Sequence, residues 1–277
     1  MDKYLEVFGA IVSPPDIRDY RIASTSLNQD FPITYELDMP AIKNQGPVSS
    51  CVAHAICTVA EYYNKQQYNI DNPLSPGYIY GNRVPPLGTT KGMAVRYAIA
   101  NFCKDGAPFL TDFPLHCEVP KIIEEVEKAK PSLHEQAIQC RFTDYIKVET
   151  EREMKTALLN GHPIIIAIDW YKDMIVKKDV ITSKLKDRKN GHALVIYGWN
   201  EKGWKIQNSW GDLWALDGKA IWPYDYKIRE AYIIIDNETS SLQIKKPYSV
   251  NTPFGKWCVK IINNIYAFFT SIKYYLS

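Results

Sequence analysis

Three residue types that can act together on a carbonyl carbon stand far apart in this chain: Cys51, His192 and Asn208. A thiolate is a nucleophile, an imidazole can take and return its proton, and an amide carbonyl can hold that imidazole in one orientation. Cys51 lies within IKNQGPVSSCVAHAICTVAEYY, residues 42 to 63. From Val52, apolar residues recur at Ala55, Ile56, Val59, Ala60 and Tyr63, the spacing of a helix with one buried face. Ser49 or Ser50 is placed to cap its N-terminus. Cys51 then falls in the first turn, where free N–H groups favour negative charge, and a thiol there is expected to ionise more easily than a free one. Position alone supplies no base, so a small buried hydrophobe stands as an equal reading of this stretch.

The base comes from NGHALVIYGWNEKGWKIQNSWG, residues 190 to 211. Ala193 to Tyr197 reads as a buried strand, Gly198 to Gly203 as a turn, and Trp204 to Gln207 as the antiparallel return. Such a hairpin brings His192 and Asn208 side by side, with Asn208 in the orienting role of a triad. His54, one helical turn after Cys51, would duplicate His192 and reads as a packing residue.

The blocks Gln45-Gly46, Ser50-Cys51, Gly191-His192-Ala193 and Asn208-Ser209-Trp210-Gly211, with Trp214 and Gly218 beyond, resemble those of the papain-like (C1) cysteine peptidases. His192 and Asn208 follow Cys51 by 141 and 157 residues, the family's separation. The resemblance covers roughly residues 36 to 236. It implies Cys51 as nucleophile, His192 as its base and acid, Asn208 as orienter, and Gln45 with the Cys51 N–H as oxyanion donors. Trp210 resembles the indole that shields the Asn–His pair. Gly92 and Met93 resemble residues lining the non-primed subsites, and Ala167 is expected to reach the main specificity pocket. Two departures are visible: Val52 stands where the family usually has Trp, and Val48 where it often has a disulfide Cys. The catalytic positions are kept.

The elements that must hold these residues follow from the rest of the chain. With 277 residues, 46% hydrophobic and 13% aromatic, it can fill a sizeable core. A net charge of +2 with mixed signs gives no reason to expect nucleic acid. The start, MDKYLEVFGAIVSPPDIRDY, lacks the pattern of a signal peptide, and no run of eighteen apolar residues suggests a membrane span. The six cysteines have no metal-ligand spacing and are expected to be free thiols.

Four parts are expected: a segment at 1–35, a helical part at 36–145, a β part at 146–240 and a tail at 241–277. GTTKGMAVRYAIANFCKDG gives a second helix ending at Asp105-Gly106, and Thr150 to Glu153 is a capping-box pattern opening another that stops at Asn160-Gly161. PIIIAIDW, ALVIYGW, WKIQ, KAIW and AYIII read as strands of an antiparallel sheet. Residues 172 to 189, with seven Lys or Arg against three Asp, read as a solvated loop. The resemblance implies an α+β, papain-like two-domain fold, a helical left domain and a β right domain with the cleft between them.

The expected activity is a cysteine endopeptidase working through an acyl-enzyme on peptide or protein substrates, as a monomer, with no metal or cofactor. An acyl transferase or peptide ligase, or a catalytically idle binding protein on the same scaffold, remain the alternatives. SPPDIRDY resembles a segment ahead of the catalytic domain in short bacterial relatives. A strand there lying across Cys51, or one packed on the surface, are equal expectations. In the tail, Trp257, Ile261, Ile265, Phe268, Phe269, Ile272 and Leu276 fall at helical spacing. That pattern fits either a face packed on the body or a helix in a membrane interface.

Overall fold

The structure, a computed structural model, describes residues 8–14, 16, 19, 21–22, 30–83, 91–118, 121–186, 189–235 and 244–245. Its order opens with three short strands, β1 (Ala10–Ile11), β2 (Arg21–Ile22) and β3 (Tyr35–Glu36). Then come α1 (Cys51–Tyr68), α2 (Pro76–Gly81), β4 (Met93–Ala94), α3 (Val95–Asp105) and α4 (Ile122–Gln139). The second half holds β5 (Asp144–Lys147), α5 (Glu151–Leu159), β6 (Ile164–Tyr171), β7 (Ile175–Lys177), β8 (Val180–Thr182) and β9 (Lys189–Asn200). It closes with β10 (Gly203–Gln207), β11 (Lys219–Pro223), β12 (Ile228–Ile235) and β13 (Ile244–Lys245).

The sheet runs in the order β5-β12-β6-β9-β10-β11-β8-β7, with β3 also paired to β9. The five strands expected from the apolar runs are β6, β9, β10, β11 and β12, and their mutual pairings are antiparallel. β8 joins β11 in parallel, which departs from an all-antiparallel sheet. Residues 172 to 189 are not simply a loop: β7 and β8 form a hairpin there, and Lys189 begins β9, pairing with Asp169 at 2.7 Å.

α1 is buried on every side from Cys51 to Asn64, not along one face. It is wedged between α2 and α3 on one side and β9 and β6 on the other, so even its polar residues lie inside. Glu61 is accommodated by Lys43 at 2.7 Å and by the Leu74 N–H at 2.7 Å. Ser50 is the N-cap residue, but its side chain makes no cap bond; its Oγ lies 3.3 Å from His54 Nδ1 instead. His54 is a buried packing residue bonded to the Ser50 carbonyl at 3.0 Å. The capping box of α5 is formed, with Glu153 N donating to Thr150 Oγ1 and Thr150 N to the Glu153 carboxylate.

The described N-terminal residues, from Phe8, run through the body of the fold. β1 pairs in parallel with β4, Ala10 beside Met93 and Ile11 beside Ala94. Beyond it Ser13 hydrogen-bonds Glu230 of β12, while Asp16 and Asp19 form ion pairs with Arg96 of α3. All four charged side chains are buried. The stretch lying across the cleft is therefore Phe8–Ile11, ahead of SPPDIRDY, and the described residues of SPPDIRDY serve as its anchor. The amphipathic pattern expected at 255–277 lies outside the described residues. Among the described residues no helix is long and apolar enough to cross a membrane.

Candidate active site

The hairpin of β9 and β10 carries His192 on its first strand and delivers Asn208 immediately after its second. His192 Nε2 and Asn208 Oδ1 lie 2.8 Å apart. The Asn208 carbonyl oxygen accepts, so Nε2 carries the proton and Nδ1 is left as the basic nitrogen. Nδ1 makes no hydrogen bond.

Past Asn208 the chain docks on the loop ahead of α1. Gln45 N donates to Ser209 O at 2.8 Å and Gly211 N to Lys43 O at 2.9 Å. Ser209 Oγ donates to Gln45 Oε1 at 2.7 Å. That bond fixes which end of the amide is the donor, and Gln45 Nε2 points to Val48 O at 2.8 Å. Cys51 is the first residue of α1, and the backbone N–H of Ala193, the neighbour of His192, lies near enough to its sulfur to pull the thiol's pKa down. Cys51 thus opens the helix that packs on β9, which carries His192, while Asn208 bonds His192 and Ser209 bonds Gln45; all four site residues are buried.

Aromatic rings enclose the imidazole. Trp210 stacks on His192 with centroids 4.6 Å apart and planes 29° apart. Trp170 meets His192 edge-on at 5.7 Å, and Phe8 meets it edge-on at 5.9 Å. A hydrogen bond kept dry is stronger than one exposed to water. Trp170 and Phe8 escaped the sequence reading: neither has a local signal, and only the folding of β6 and of the N-terminal stretch brings them to the imidazole.

Gly92 and Met93 lie against the N-terminal stretch. Met93 N donates to Gly9 O at 2.7 Å, and Gly92, at φ +77°, has that same carbonyl where a Cβ would project. Ala167 sits in β6 between Ala193 of β9 and Glu230 of β12. It is buried in the sheet, one strand away from Ala193, the neighbour of His192.

Burial decides the charge state. It pushes the Cys51 thiol up to about 11, although N–H groups of Ala193, Gly9 and Val52 pull it down. It pushes His192 down to about 4, against the hydrogen bond that His192 donates to Asn208, which raises it. At neutral pH the covered site therefore holds a thiol and a neutral imidazole. The easier ionisation expected from the helix N-terminus is reversed, because excluding water from a fully buried sulfur outweighs the field of one helix end. The five described cysteines, Cys51, Cys57, Cys103, Cys117 and Cys140, are free thiols.

The site combines a buried thiol at a helix start, an amide-oriented imidazole on the sheet that helix packs against, and the Gln45 amide in the loop ahead of the helix. The family model of papain family cysteine proteases matches residues 33–221, and the chain belongs to that family. An uncharacterized peptidase C1-like protein of Acanthamoeba polyphaga mimivirus is 29% identical over 201 residues, covering 66% of this chain and 64% of that protein. The chain spans less than two thirds of the length of the curated relatives it matches.

Among solved structures, xylellain, a cysteine protease from Xylella fastidiosa, is similar with a TM-score of 0.68 and 20% identity, over 85% of this chain and 98% of that one. The proCathepsin B of Trypanosoma congolense gives 0.63 and 16%, over 82% and 85%. These likenesses establish the α+β papain-like fold.

Proposed function

We propose that this chain is a cysteine endopeptidase that cleaves peptide bonds of peptide or protein substrates through Cys51, His192, Asn208 and Gln45, and that residues Phe8–Ile11 hold it latent. The observation that carries the reading is the His192–Asn208 hydrogen bond of 2.8 Å under the Trp210 ring, which leaves Nδ1 as the one basic ring nitrogen.

With the cleft open, His192 Nδ1 takes the Cys51 proton and the thiolate forms a C–S bond to the scissile carbonyl carbon. The carbonyl electron pair moves to oxygen, which receives hydrogen bonds from the Gln45 Nε2–H and the Cys51 N–H. Collapse of this intermediate breaks the C–N bond as His192 returns its proton to the departing amine. Water then adds to the thioester with His192 as base, the C–S bond breaks, and the acid leaves with the thiol restored.

Latency is supported by the way Gly9 faces the sulfur. The Gly9 backbone lies near enough to Cys51 to pull its pKa down, and the Gly9 carbonyl accepts from Met93 N, so the stretch is held over the thiol by its own backbone bonds.

The test is a peptide-library digest with full-length protein whose cleft has been opened by Gly9→Ala, beside the same protein carrying Cys51→Ala. Cleavage by the first and none by the second is expected. Equal cleavage by both would remove Cys51 from the mechanism.

A further inference from the structure

Lys43 joins the loop that carries Gln45 to the helix that carries Cys51. Its Nζ donates to both oxygens of the Glu61 carboxylate at 2.7 Å, and Glu61 stands on α1. The Leu74 N–H donates to the same carboxylate at 2.7 Å. The pair is nearly closed to water, its side chains 12% and 9% exposed. Burial raises the Glu61 carboxyl, and the Lys43 charge is the largest effect opposing that rise. Nothing in the triad chemistry uses either group.

The main chain of the same loop is held from the other side. Gly211 N donates to Lys43 O at 2.9 Å, Gln45 N donates to Ser209 O at 2.8 Å, and Asn44 pairs antiparallel with Trp210 between them. Those bonds tie residues 43–45 to the strip that follows Asn208, and so to the imidazole side of the site. Within the loop, Gln45 Nε2 donates to Val48 O at 2.8 Å and Gly46 N to Asn44 Oδ1 at 3.0 Å. These internal bonds shape the loop without seating it on the body of α1. The Lys43 side chain supplies that seat.

We propose that the Lys43–Glu61 ion pair positions the oxyanion hole, fixing the loop on α1 so that the Gln45 amide and the Cys51 N–H converge on one oxygen. Lys43 and Glu61 are positioning residues, acting through Gln45. The inference rests on the peptidase reading above. An oxyanion donor works at about 2.7–3.1 Å from the developing charge, and a misplacement of about 1 Å can cost about 100-fold in rate. Stability alone gives no reason for the pair, because buried ions repay their desolvation poorly and apolar residues of like size often serve as well. Geometry gives one: a charge-assisted bond with two short arms holds the loop at a single distance from the helix.

The test is Lys43→Met with Glu61→Gln in the full-length Gly9→Ala protein. Met keeps the length of the stem, and Gln keeps an acceptor for the Leu74 N–H. Relative to Gly9→Ala, kcat should fall about tenfold, short of the roughly 100- to 1,000-fold for loss of a donor, with KM within about twofold. Iodoacetamide should label Cys51 at the Gly9→Ala rate. Added to Gln45→Ala, the two changes should cost nothing further, because the amide they aim is gone. A further loss of about tenfold in that background would make the pair a general support of the fold and overturn the proposal, as would an unchanged kcat. Should the double variant fail to fold, Glu61→Asp, which keeps both charges and draws the loop inward, carries the same expectations.

Crystal structures with and without the changes give a readout that needs no turnover. Gln45 Nε2 should shift relative to Cys51 N, and an unmoved amide overturns the proposal. A shifted amide in a protein whose Gly9→Ala parent cleaves no peptide would count against the peptidase reading and leave the positioning role standing.

Discussion

Gly9 lies between Cys51 and Met93: its backbone is near enough to the sulfur to pull the thiol's pKa down, and Met93 N donates to Gly9 O at 2.7 Å. A glycine is required there because a Cβ on residue 9 would be driven into the backbone carbonyl of Ser49. That carbonyl belongs to the loop leading into α1 and cannot swing aside as a side-chain end would. Gly9→Ala should therefore expel Phe8–Ile11 and raise peptidase activity of the full-length protein at least tenfold, with little change in thermal stability. Activity unchanged from the parent would mean that this stretch does not limit access.

Opening the cleft should also change the thiol. In the covered state burial holds Cys51 at about 11, so about one thiol in ten thousand is ionised at pH 7. Iodoacetamide labelling of Cys51 in the parent should be slow at pH 7 and climb through pH 9 to 10, since a raised thiol value delays thiolate formation. In Gly9→Ala the labelling rate should rise at pH 7 and its profile move to lower pH, because water returns to the sulfur while the α1 N-terminus and the imidazole remain. Identical profiles for the two proteins would contradict the burial argument.

Arg96 is the anchor of the N-terminal stretch, ion-paired to Asp16 and at 3.7 Å to Asp19, all three buried. Removing the cation alone leaves two buried carboxylates without the positive charge that balances them. Arg96→Met should cost roughly 3–5 kcal/mol in denaturant unfolding. Asp16→Asn with Asp19→Asn leaves Arg96 unbalanced instead, and should loosen the stretch enough to raise Cys51 labelling. If Arg96→Met unfolded at the parent's denaturant midpoint, the ion pairs would not be holding this part of the molecule.

The parts legible in the sequence are those with local signals. Thr150 and Glu153 sit at capping-box spacing, and the box forms. The apolar runs of β6, β9, β10, β11 and β12 are long and unbroken, and all five are strands. His192 and Asn208 share the expected hairpin, but its turn is only Glu201 and Lys202, because β9 runs on through Gly198 to Asn200 and β10 already starts at Gly203. α4 went unread because Pro131 interrupts its pattern and Lys121, in a left-handed conformation, gives it no capping signal. The direction of the Cys51 shift went unread for another reason. It depends on Phe8 and Gly9 lying over the sulfur, and two residues about forty positions upstream carry no periodicity, motif or turn that announces where they pack. Glu230 is similar: within IREAYIII it looks like an outward-facing charge, and only the approach of Ser13 turns it inward.

The last prediction separates the roles of the four site residues, all measured in the Gly9→Ala full-length background. Cys51 and His192 work as one unit, so Cys51→Ala, His192→Ala and the double variant should lose activity to the same floor rather than cumulatively. Asn208 only orients: its carbonyl fixes the Nε2 tautomer at 2.8 Å, and Trp210 also holds the ring by stacking at 4.6 Å. Asn208→Ala should therefore retain measurable turnover, with KM close to the parent's. Gln45 acts on the oxyanion, and its loss should lower kcat about 100- to 1,000-fold while Cys51 still labels at the Gly9→Ala rate. Its amide is already aimed by the 2.7 Å bond from Ser209 Oγ, so Ser209→Ala should show a weaker form of the same defect. A Gln45→Ala protein that lost labelling along with turnover would place Gln45 in the support of the thiol and not in the oxyanion hole.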